Sequence, residues 1–520
     1  MINTYKHNKS MEFNKILNNS RYFRIELFHT KRPDFCDIIP IRLIERKERF
    51  RMRTRYPWGS FLKKIAVIAV PIALQNLMST TGSMVDTMMI ASLGQTEVGA
   101  VGLCAQFSSL MFSAYWGFVG GGMLFFSQYW GAKDDDGINR SYGLTLTCIM
   151  TVGMLFGLLA VCFPETVMQM YTDKEPIRRV GVEYLRIAGF GYPLMVFSIA
   201  MAALLRCTGR VRIPLWGSVA GVLTNIFMNW VLIFGNLGMP AMGVRGAATA
   251  TVIAQAVNCT VILTAARRSR HPYLLAVRRH FRWSRRFIRT YFRKCFPILC
   301  NEVLIGAGNM VINIVLGRQP EEAIAALAVF RTIEGLVIGF FAGFSSAASV
   351  LVGTEIGAGR LDRAFGRAWR LVYLCQGIIA LLGLTLICLH TPILNLMGMK
   401  GESFRLAFGM MVIYLLLGII RMGNWTQNDT FRAAGDATYG TVLEIVFMWL
   451  MLLPLVCVSG LVLKWPTLVV FAFCYADEPI RYVLMQVHLF RGKWIRPVTP
   501  EGQSARRTWK PNRAVIDEEN

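Results

Sequence analysis

The chain has 520 residues, of which 54% are hydrophobic and only 17% are charged. A soluble protein carries about 25% charged residues, so this composition excludes an ordinary soluble globular protein. A net charge of +25 is compatible with nucleic-acid binding, but the positive residues lie mainly in alternate loops between long apolar segments. That distribution is typical of a polytopic membrane protein, and no nucleic-acid partner is expected.

Residues 1–60 form a polar, basic segment that contains no apolar run of signal-peptide type. Two interpretations of this segment are open. Either it is a disordered cytoplasmic extension, or translation begins naturally at Met52, where MRTRYPWGSFLKK would form a short basic leader. The basic character of that leader favours the second interpretation.

From Phe61 onward, twelve apolar windows are long enough to cross a hydrocarbon core about 30 Å thick. The predicted spans are residues 62–91, 97–129, 139–163, 183–208, 213–236, 244–266, 295–317, 323–355, 366–389, 406–432, 439–462 and 466–489. They divide the chain into a first half (61–266), a basic linker (267–294), a second half (295–490) and a tail (491–520).

The two halves align without a gap when the chain is shifted by 226 residues. Pro71 then falls on Pro297, and Arg206 falls on Arg432. Such a constant shift indicates an internal duplication. Because each half has an even number of spans, both halves enter the membrane in the same direction. The sequence thus predicts an all-α membrane protein with twelve transmembrane helices in two six-helix lobes, related by a pseudo-twofold axis along the membrane normal.

The charges of the loops predict the orientation. The linker contains eleven Arg or Lys and no acid between Arg267 and Lys294, and the other loops after even-numbered spans are also basic. Loops after odd-numbered spans are mostly acidic or sparsely charged. The positive-inside rule therefore predicts a plasma-membrane protein with both termini in the cytoplasm. The linker is either an amphipathic helix on the anionic inner leaflet or a solvated connection.

Asp86 is the clearest polar residue inside a predicted span. A charge at mid-bilayer costs at least about 2.5–3.5 kcal/mol, so a residue of this kind is expected to have a specific role. One helical face of the first span carries a polar stripe made of Gln75, Ser79, Ser83 and Asp86. Such a stripe faces a cavity or another helix. A buried carboxyl group can hold a proton or a cation but not both at once, which is the chemistry that an antiporter needs.

Other spans carry further polar candidates. Asn225 and Asn229 lie one turn apart in the fifth span, where they can supply ligands beside Asp86 or hydrogen bonds between helices. In the second half, Ile312 occupies the position equivalent to Asp86, so the two lobes are not chemically equivalent. Candidates for substrate or proton contact there are Glu302 and a tenth-span stripe of Arg421, Asn424 and Asn428. Arg331 and Glu334 are predicted to form a structural ion pair.

Several segments together resemble a known family. The most specific is 205–255, which contains TNIFMNW and GVRGAATAT. Similar pieces are PIALQNLMSTTGSMVDTMMIASLGQTEVGAVGL (71–103), SQYWGAKDDDGINR (127–140) and FRAAGDATYG (431–440). Over roughly residues 60–495 the chain resembles the multidrug and toxic compound extrusion (MATE) transporters.

The resemblance implies two six-helix lobes and export of organic cations in exchange for protons or sodium ions. It also implies a cation site around Asp86, with Asn225, Asn229 and the sixth-span Thr251 as further ligands. Some members have an aspartate at the position of Asn229, and the amide here weakens the case for a tight sodium site and favours protons. One branch has a tenth-span aspartate where this sequence has Arg421, so the resemblance gives no support for a coupling site in the second lobe.

Two other functions compete with this one. A lipid or lipid-linked sugar flippase of the same superfamily would line its cleft with several cations if its headgroup were anionic, whereas the intramembrane charges here are mixed. An intramembrane enzyme is not expected, because the sequence has neither HExxH nor GxSxG. We expect a monomer that carries small cationic or amphipathic molecules, with no cofactor and no metal beyond a coupling proton or a sodium ion at Asp86.

Overall fold

The computed structural model describes residues 58–274 and 276–511. The predictions for the N-terminal segment, including the alternative start at Met52, lie outside the described residues apart from its last three positions.

Helices account for most of the described chain. Short helices span Pro164–Gln169 and His390–Leu396. The other helices of the first half are α1 (Trp58–Ala91), α2 (Gln95–Ala132), α3 (Asp135–Cys162), α4 (Glu175–Ala188), α5 (Gly191–Cys207), α6 (Arg212–Phe234) and α7 (Val244–Arg268). Those of the second half are α8 (Arg285–Leu316), α9 (Glu321–Gly357), α10 (Leu361–Cys388), α11 (Gly401–Ala433), α12 (Ala437–Val462), α13 (Thr467–Phe473) and α14 (Glu478–Arg491), followed by α15 (Pro500–Thr508).

Within the described residues, ten helices are long and apolar enough to cross a membrane, and α4 with α5 forms an eleventh span bent by 50°. The twelfth predicted span is divided into α13 and α14, of 7 and 14 residues. Pro479 explains this break, because proline has no N–H to donate and disfavours a helix just before it. The predicted order of twelve spans in an all-α fold is confirmed, with the last span interrupted.

Equivalent helices of the two halves also begin and end at equivalent positions. Helix α3 begins at Asp135 and ends at Cys162, and a shift of 226 gives the two ends of α10. One difference is that α11 is continuous where the first half bends between α4 and α5. The bend has the sequence GFGYP, whereas the equivalent residues of α11 are LLLGI. Glycine and proline weaken a helix that leucines continue, so the bend follows from the sequence.

Paired glycine contacts reveal the pseudo-twofold relation between the halves. A Cβ atom on Gly131 of α2 would collide with the backbone carbonyl of Thr354 in α9. A Cβ atom on Gly357 of α9 would collide with the carbonyl of Gln128 in α2. The two contacts are related by the 226-residue shift, and they let α2 and α9 cross with their backbones touching. By the same symmetry, α1 packs against α9 and α8 packs against α2.

The basic loops and the tail meet at one end of the bundle, which we call the basic end. There the Val498 backbone N–H donates to Gln128 Oε1 over 2.8 Å, and Thr499 Oγ1 donates to the Gly357 carbonyl over 2.9 Å. The Trp283 indole donates to the Arg140 carbonyl over 3.1 Å. The tail and the linker are therefore folded against helices that are distant from them in the sequence.

The linker differs from both predicted alternatives. Helix α8 begins at Arg285, ten residues before the predicted span, because the helix continues past its apolar part into basic sequence. The remaining connection packs on the end of α3, where Tyr273 is buried and its hydroxyl donates to Asp135 Oδ1 over 2.6 Å. Its one described helix, Val277–His280, is a single turn. It is thus neither a solvated connection nor a long amphipathic helix.

Candidate cation site in the first lobe

A polar cavity of about 280 Å³ lies among α1, α4, α6 and α7. Three of the four predicted stripe residues on α1, namely Ser79, Ser83 and Asp86, line it. Asn225 of α6 and Thr251 of α7 line it from the other side. The helical periodicity that predicted a polar face on α1 therefore also locates the cavity that this face borders.

A chain of hydrogen bonds joins the predicted ligands. Asn229 Nδ2 donates to Asp86 Oδ1 over 2.6 Å and lies 3.3 Å from Asn225 Oδ1. Asn225 Nδ2 in turn lies 3.5 Å from Thr251 Oγ1, at the limit of a hydrogen bond. Because Asn225 and Asn229 are one turn apart on α6, both amides reach toward the same side of α1. The structure thus brings together all four residues predicted for the first-lobe site.

The electrostatics of this site suit a cation or a proton. Within the described part of the chain, Asp86 has no ion-pair partner, although it is only half-exposed. The side-chain oxygens of Asn229 and Asn258 are buried there without a hydrogen-bond donor. Buried acceptors without donors are costly, and a bound cation or a protonated carboxyl group would satisfy them.

Gln75 has a different role from the rest of the stripe. Its Nε2 donates to Ser218 Oγ over 2.8 Å, and Arg206 Nη2 donates to its Oε1 over 2.6 Å. Both sides of the amide are therefore occupied by α5 and α6, and Gln75 does not line the cavity. It connects helices, which the spacing of the stripe alone could not distinguish from ligand binding.

Tyr184, Gln255 and Asn258 also line the cavity and were missed by sequence reasoning. Gln255 and Asn258 follow Thr251 by four and seven residues, so all three lie on one face of α7. This spacing could have predicted a polar face on α7, in the same way as the spacing of the stripe on α1. Tyr184 gave no such signal, because its position depends on the bend between α4 and α5.

The second-lobe candidates belong to a network of ion pairs and hydrogen bonds. Arg421 Nη1 lies 2.9 Å from Glu334 Oε1, and Arg331 Nη1 lies 3.0 Å from Glu334 Oε2, so the predicted Arg331–Glu334 pair forms. Glu302 Oε1 lies 3.3 Å from Arg432 Nη1. Each of these carboxylates therefore has a cationic partner, unlike Asp86.

The asparagines of α11 complete this network. Asn424 Nδ2 donates to Glu478 Oε2 over 2.7 Å, and Asn428 Nδ2 donates to Glu444 Oε2 over 3.0 Å. Arg481 Nη2 lies 3.2 Å from Glu444 Oε1. Asn424 and Asn428 thus bind carboxylates of other helices, the buried Glu478 and the half-buried Glu444. Sequence alone could not assign these partners, because each lies on another helix.

Comparisons with known proteins agree with this architecture. The family model MatE matches residues 71–231 and 297–458, one stretch in each half. The probable multidrug resistance protein YoeA of Bacillus subtilis is 25% identical over 75% of this chain and 85% of its own length. A probable multidrug resistance protein NorM of Agrobacterium fabrum is 28% identical over 63% of this chain and 70% of its own length. A solved outward-facing structure of a multidrug resistance MATE family transporter has a TM-score of 0.74 at 16% identity, over 86% of this chain and 97% of that one.

Two duplicated lobes, with a polar cavity within the first, define a multi-pass membrane transporter. The chain belongs to the MatE family, since the family model matches more than half of it. The predicted fold, family and membrane location are thereby confirmed. The relatives are transporters, so at the level of the family the expectation that the chain is not an enzyme also holds.

Proposed function

We propose that this protein exports organic cations in exchange for protons by alternating access, with Asp86 as the group for which proton and cargo compete. The observation that carries the proposal is a carboxylate beside a polar cavity, bonded to the Asn229 amide and without an ion-pair partner among the described residues. A carboxylate permanently paired with arginine could not release and rebind a cation in each cycle.

The exchange follows from the charge of one group. With Asp86 ionised, the cavity has one negative charge and several neutral oxygens, including that of Asn225, and it attracts a cationic molecule. When Asp86 takes up a proton, that attraction is lost and the cargo is released. Proton binding and cargo binding therefore exclude each other, and this exclusion couples the two movements.

Proton coupling is favoured over sodium coupling by the donor set. Asp86 is accompanied by the neutral groups of Asn225, Asn229 and Thr251, so the site offers a single charged oxygen ligand group. Hard cations bind more tightly as the number of charged ligands rises. A flippase for anionic headgroups is not favoured, because no cationic side chain among the described residues lines this cavity.

The charge distribution supports an orientation with the basic end in the cytoplasm of a bacterial-type plasma membrane. Helix α1 then runs from the cytoplasmic side at Trp58 to the outer side at Ala91. Asp86 lies near the outer end of this helix, which suits a site that receives protons from outside.

Replacement of Asp86 by asparagine tests the proposal directly. In proteoliposomes, Asp86→Asn should reduce pH-gradient-driven export of a cationic dye to background, while the purified protein remains monodisperse. The matched control is Asp173→Asn, which makes the same change at an exposed loop position and should keep full activity. Unchanged transport by Asp86→Asn would refute the proposed role.

The same assay separates the coupling ions. With the pH held equal on both sides, an imposed sodium gradient should drive no dye export through the unaltered protein. Export driven by sodium alone would refute proton coupling but leave Asp86 as the shared site, and a normal response of Asp86→Asn to sodium would remove that role as well.

A further inference from the structure

A larger cavity, of about 770 Å³, opens at the basic end. Its lining residues are distant in the sequence from those of the cation site. It lies between the first turns of α8, the start of α12 and the segment after α14, and we call it the α8–α12 recess. Its cationic lining residues are Arg289, Arg293, Lys294 and Arg496. The transport chemistry proposed above uses none of them.

The recess has more positive charge than its own carboxylates neutralise. Arg496 Nη1 lies 3.0 Å from Asp436 Oδ1, and Lys294 Nζ donates to the Gly435 carbonyl over 2.6 Å. Arg289 and Arg293 are exposed, and neither forms an ion pair with any described carboxylate. Two guanidinium groups are therefore free to bind an anion, and guanidinium geometry matches phosphate oxygens well.

The apolar part of the lining indicates which anion fits. Phe292 and Phe296 line the same recess and are 41% and 64% exposed. Exposed aromatic rings beside arginines, on a helix that enters the bilayer, are typical of the membrane interface. A free phosphate ion would use only the arginines, whereas a phospholipid would also cover the two rings with its acyl chains.

We propose that the α8–α12 recess binds the phosphate group of an anionic phospholipid from the inner leaflet. Arg289 and Arg293 would contact the headgroup, and the N-terminus of α12 at Ala437 would add a favourable helix dipole. The proposal requires the basic end to lie at the membrane surface, as in the proposed orientation. It does not depend on the role of Asp86.

The duplication provides an independent argument. The first half has a corresponding cavity of about 560 Å³ between α1, the start of α6 and the end of α7. Its cations are Arg210, Arg212 and Arg268, which align under the 226-residue shift with Asp436, Thr438 and Trp494. The cations of this first-half recess thus do not occupy positions equivalent to the cations of the α8–α12 recess. Both recesses are basic although their cations arise at different positions, which supports selection for anion binding at this place in the fold.

Native mass spectrometry of the purified full-length protein tests the proposal. Phosphatidylglycerol and phosphatidylcholine with the same acyl chains are titrated in detergent, and the bound lipids are counted. The test variant is the double substitution Arg289→Gln and Arg293→Gln. Its matched control is Arg282→Gln with Arg286→Gln, which removes the same charge from exposed positions nearby that do not line the recess.

We expect the unaltered protein to retain phosphatidylglycerol in preference to phosphatidylcholine. The test variant should retain one phosphatidylglycerol fewer, with affinity at that site weakened about 30-fold, as two lost arginine contacts predict. The control variant should bind like the unaltered protein. Equal losses in both variants would show diffuse surface attraction, and no preference for phosphatidylglycerol would show no headgroup site. Either result overturns the proposal.

Inorganic phosphate distinguishes the source of the ligand. At millimolar concentration it should not displace phosphatidylglycerol from the unaltered protein, because it gains nothing from Phe292 and Phe296. Complete displacement by phosphate would identify a free anion as the ligand and overturn the lipid assignment. Lipid counting does not measure transport, so failure here is separate from failure of the proton-exchange proposal.

Discussion

The two lobes make the same hydrogen bond with different chemistry. In the first lobe, Gln75 Nε2 donates to Ser218 Oγ over 2.8 Å. At the equivalent positions of the second lobe, Asn301 Nδ2 donates to Glu444 Oε2 over 3.0 Å. The contact between the first and fifth spans, α1 with α6 and α8 with α12, is thus present in both halves, but the acceptor is a hydroxyl in the first and a carboxylate in the second.

Further charged side chains surround the carboxylate acceptor of the second lobe. Arg481 pairs with Glu444 over 3.2 Å and with Asp477 over 3.0 Å, and all three side chains lie inside the second lobe. The residue equivalent to Arg481 in the first lobe is Gln255, which lines the cation cavity. The first lobe has no such charge at this position, and Asp86 has no ion pair among the described residues, which is the condition that exchange chemistry needs.

The polar groups inside the two lobes therefore have different roles. In the second lobe, ion pairs hold helices together, so loss of one partner should mainly cost stability. In the first lobe, the carboxylate of Asp86 lines the cavity without an ion-pair partner among the described residues, and it is available to ligands. Variants in the two lobes should accordingly fail in different ways, which the following substitutions can test.

Arg481→Gln should have the largest effect on stability. It leaves the buried carboxylates of Asp477 and Glu478, and the half-buried Glu444, without their shared cation, and breaking a buried pair costs about 3–5 kcal/mol. The measurement is the thermal unfolding of the detergent-purified protein by fluorescence-detected size-exclusion chromatography.

The matched control for this prediction is Arg405→Gln. Arg405 pairs with Glu402 over 3.4 Å on the surface of the same lobe, and such exposed pairs are worth less than about 1 kcal/mol. Asp86→Asn should also melt near the unaltered temperature. Equal melting temperatures for Arg481→Gln and Arg405→Gln would contradict the structural role of the second-lobe network.

Ile312→Asp should have the next largest effect. It restores the carboxylate at the position equivalent to Asp86, but Ile312 is buried against Met448 and other apolar side chains. A carboxylate in that surrounding has no donor, and its insertion costs at least about 2.5–3.5 kcal/mol. The variant should express poorly and unfold at lower temperature, with no gain in export.

The control for this position is Ile312→Val, which removes one methylene group and should cost only about 0.5–1.5 kcal/mol. If Ile312→Asp were as stable as Ile312→Val, the second lobe would be able to hold an unpaired carboxylate. The proposed difference between the lobes, that only the first can hold an unpaired carboxylate, would then be refuted.

Much of this arrangement could be predicted from sequence periodicity. The stripe that ends at Asp86, and the pair of Asn225 and Asn229, follow from helical spacing alone, and the structure joins them by hydrogen bonds. The order of the spans follows equally from apolar length. These features depend on neighbours along one helix, which a sequence displays directly.

Other features could not be predicted because they depend on residues distant in sequence. Glu302 pairs with Arg432 across 130 positions, and no local pattern links them. The early start of α8 was missed because hydropathy marks where a helix becomes apolar, not where it begins. Sequence reasoning thus located the polar faces of single helices that border the site, and it missed the ion pairs that join different helices of the second lobe.

Histidines at the basic end repeat the contrast between the lobes on a smaller scale. In the second half, His488 Nε2 lies 3.0 Å from the carboxylate of Asp436. By contrast, His271 of the linker lies 3.1 Å from the hydroxyl of Thr208 in the first half, and it has no described carboxylate partner. Burial, together with the nearby Arg210, lowers the pKa of His271 to about 4.

This shift predicts a dependence of stability on pH. The ordinary pKa of histidine is about 6.5, so the unfolded chain takes up a proton there while folded His271 stays neutral. The stability that neutral His271 contributes is complete above about pH 6.5, and it declines as the pH falls toward the folded pKa. The melting temperature should therefore fall between pH 7 and pH 5.5 by roughly 2 °C more in the unaltered protein than in His271→Gln. His390→Gln, the same change in the second half, should keep the pH dependence of the unaltered protein. Identical pH profiles for all three proteins would show that the contact of His271 with Thr208 does not depend on a neutral ring.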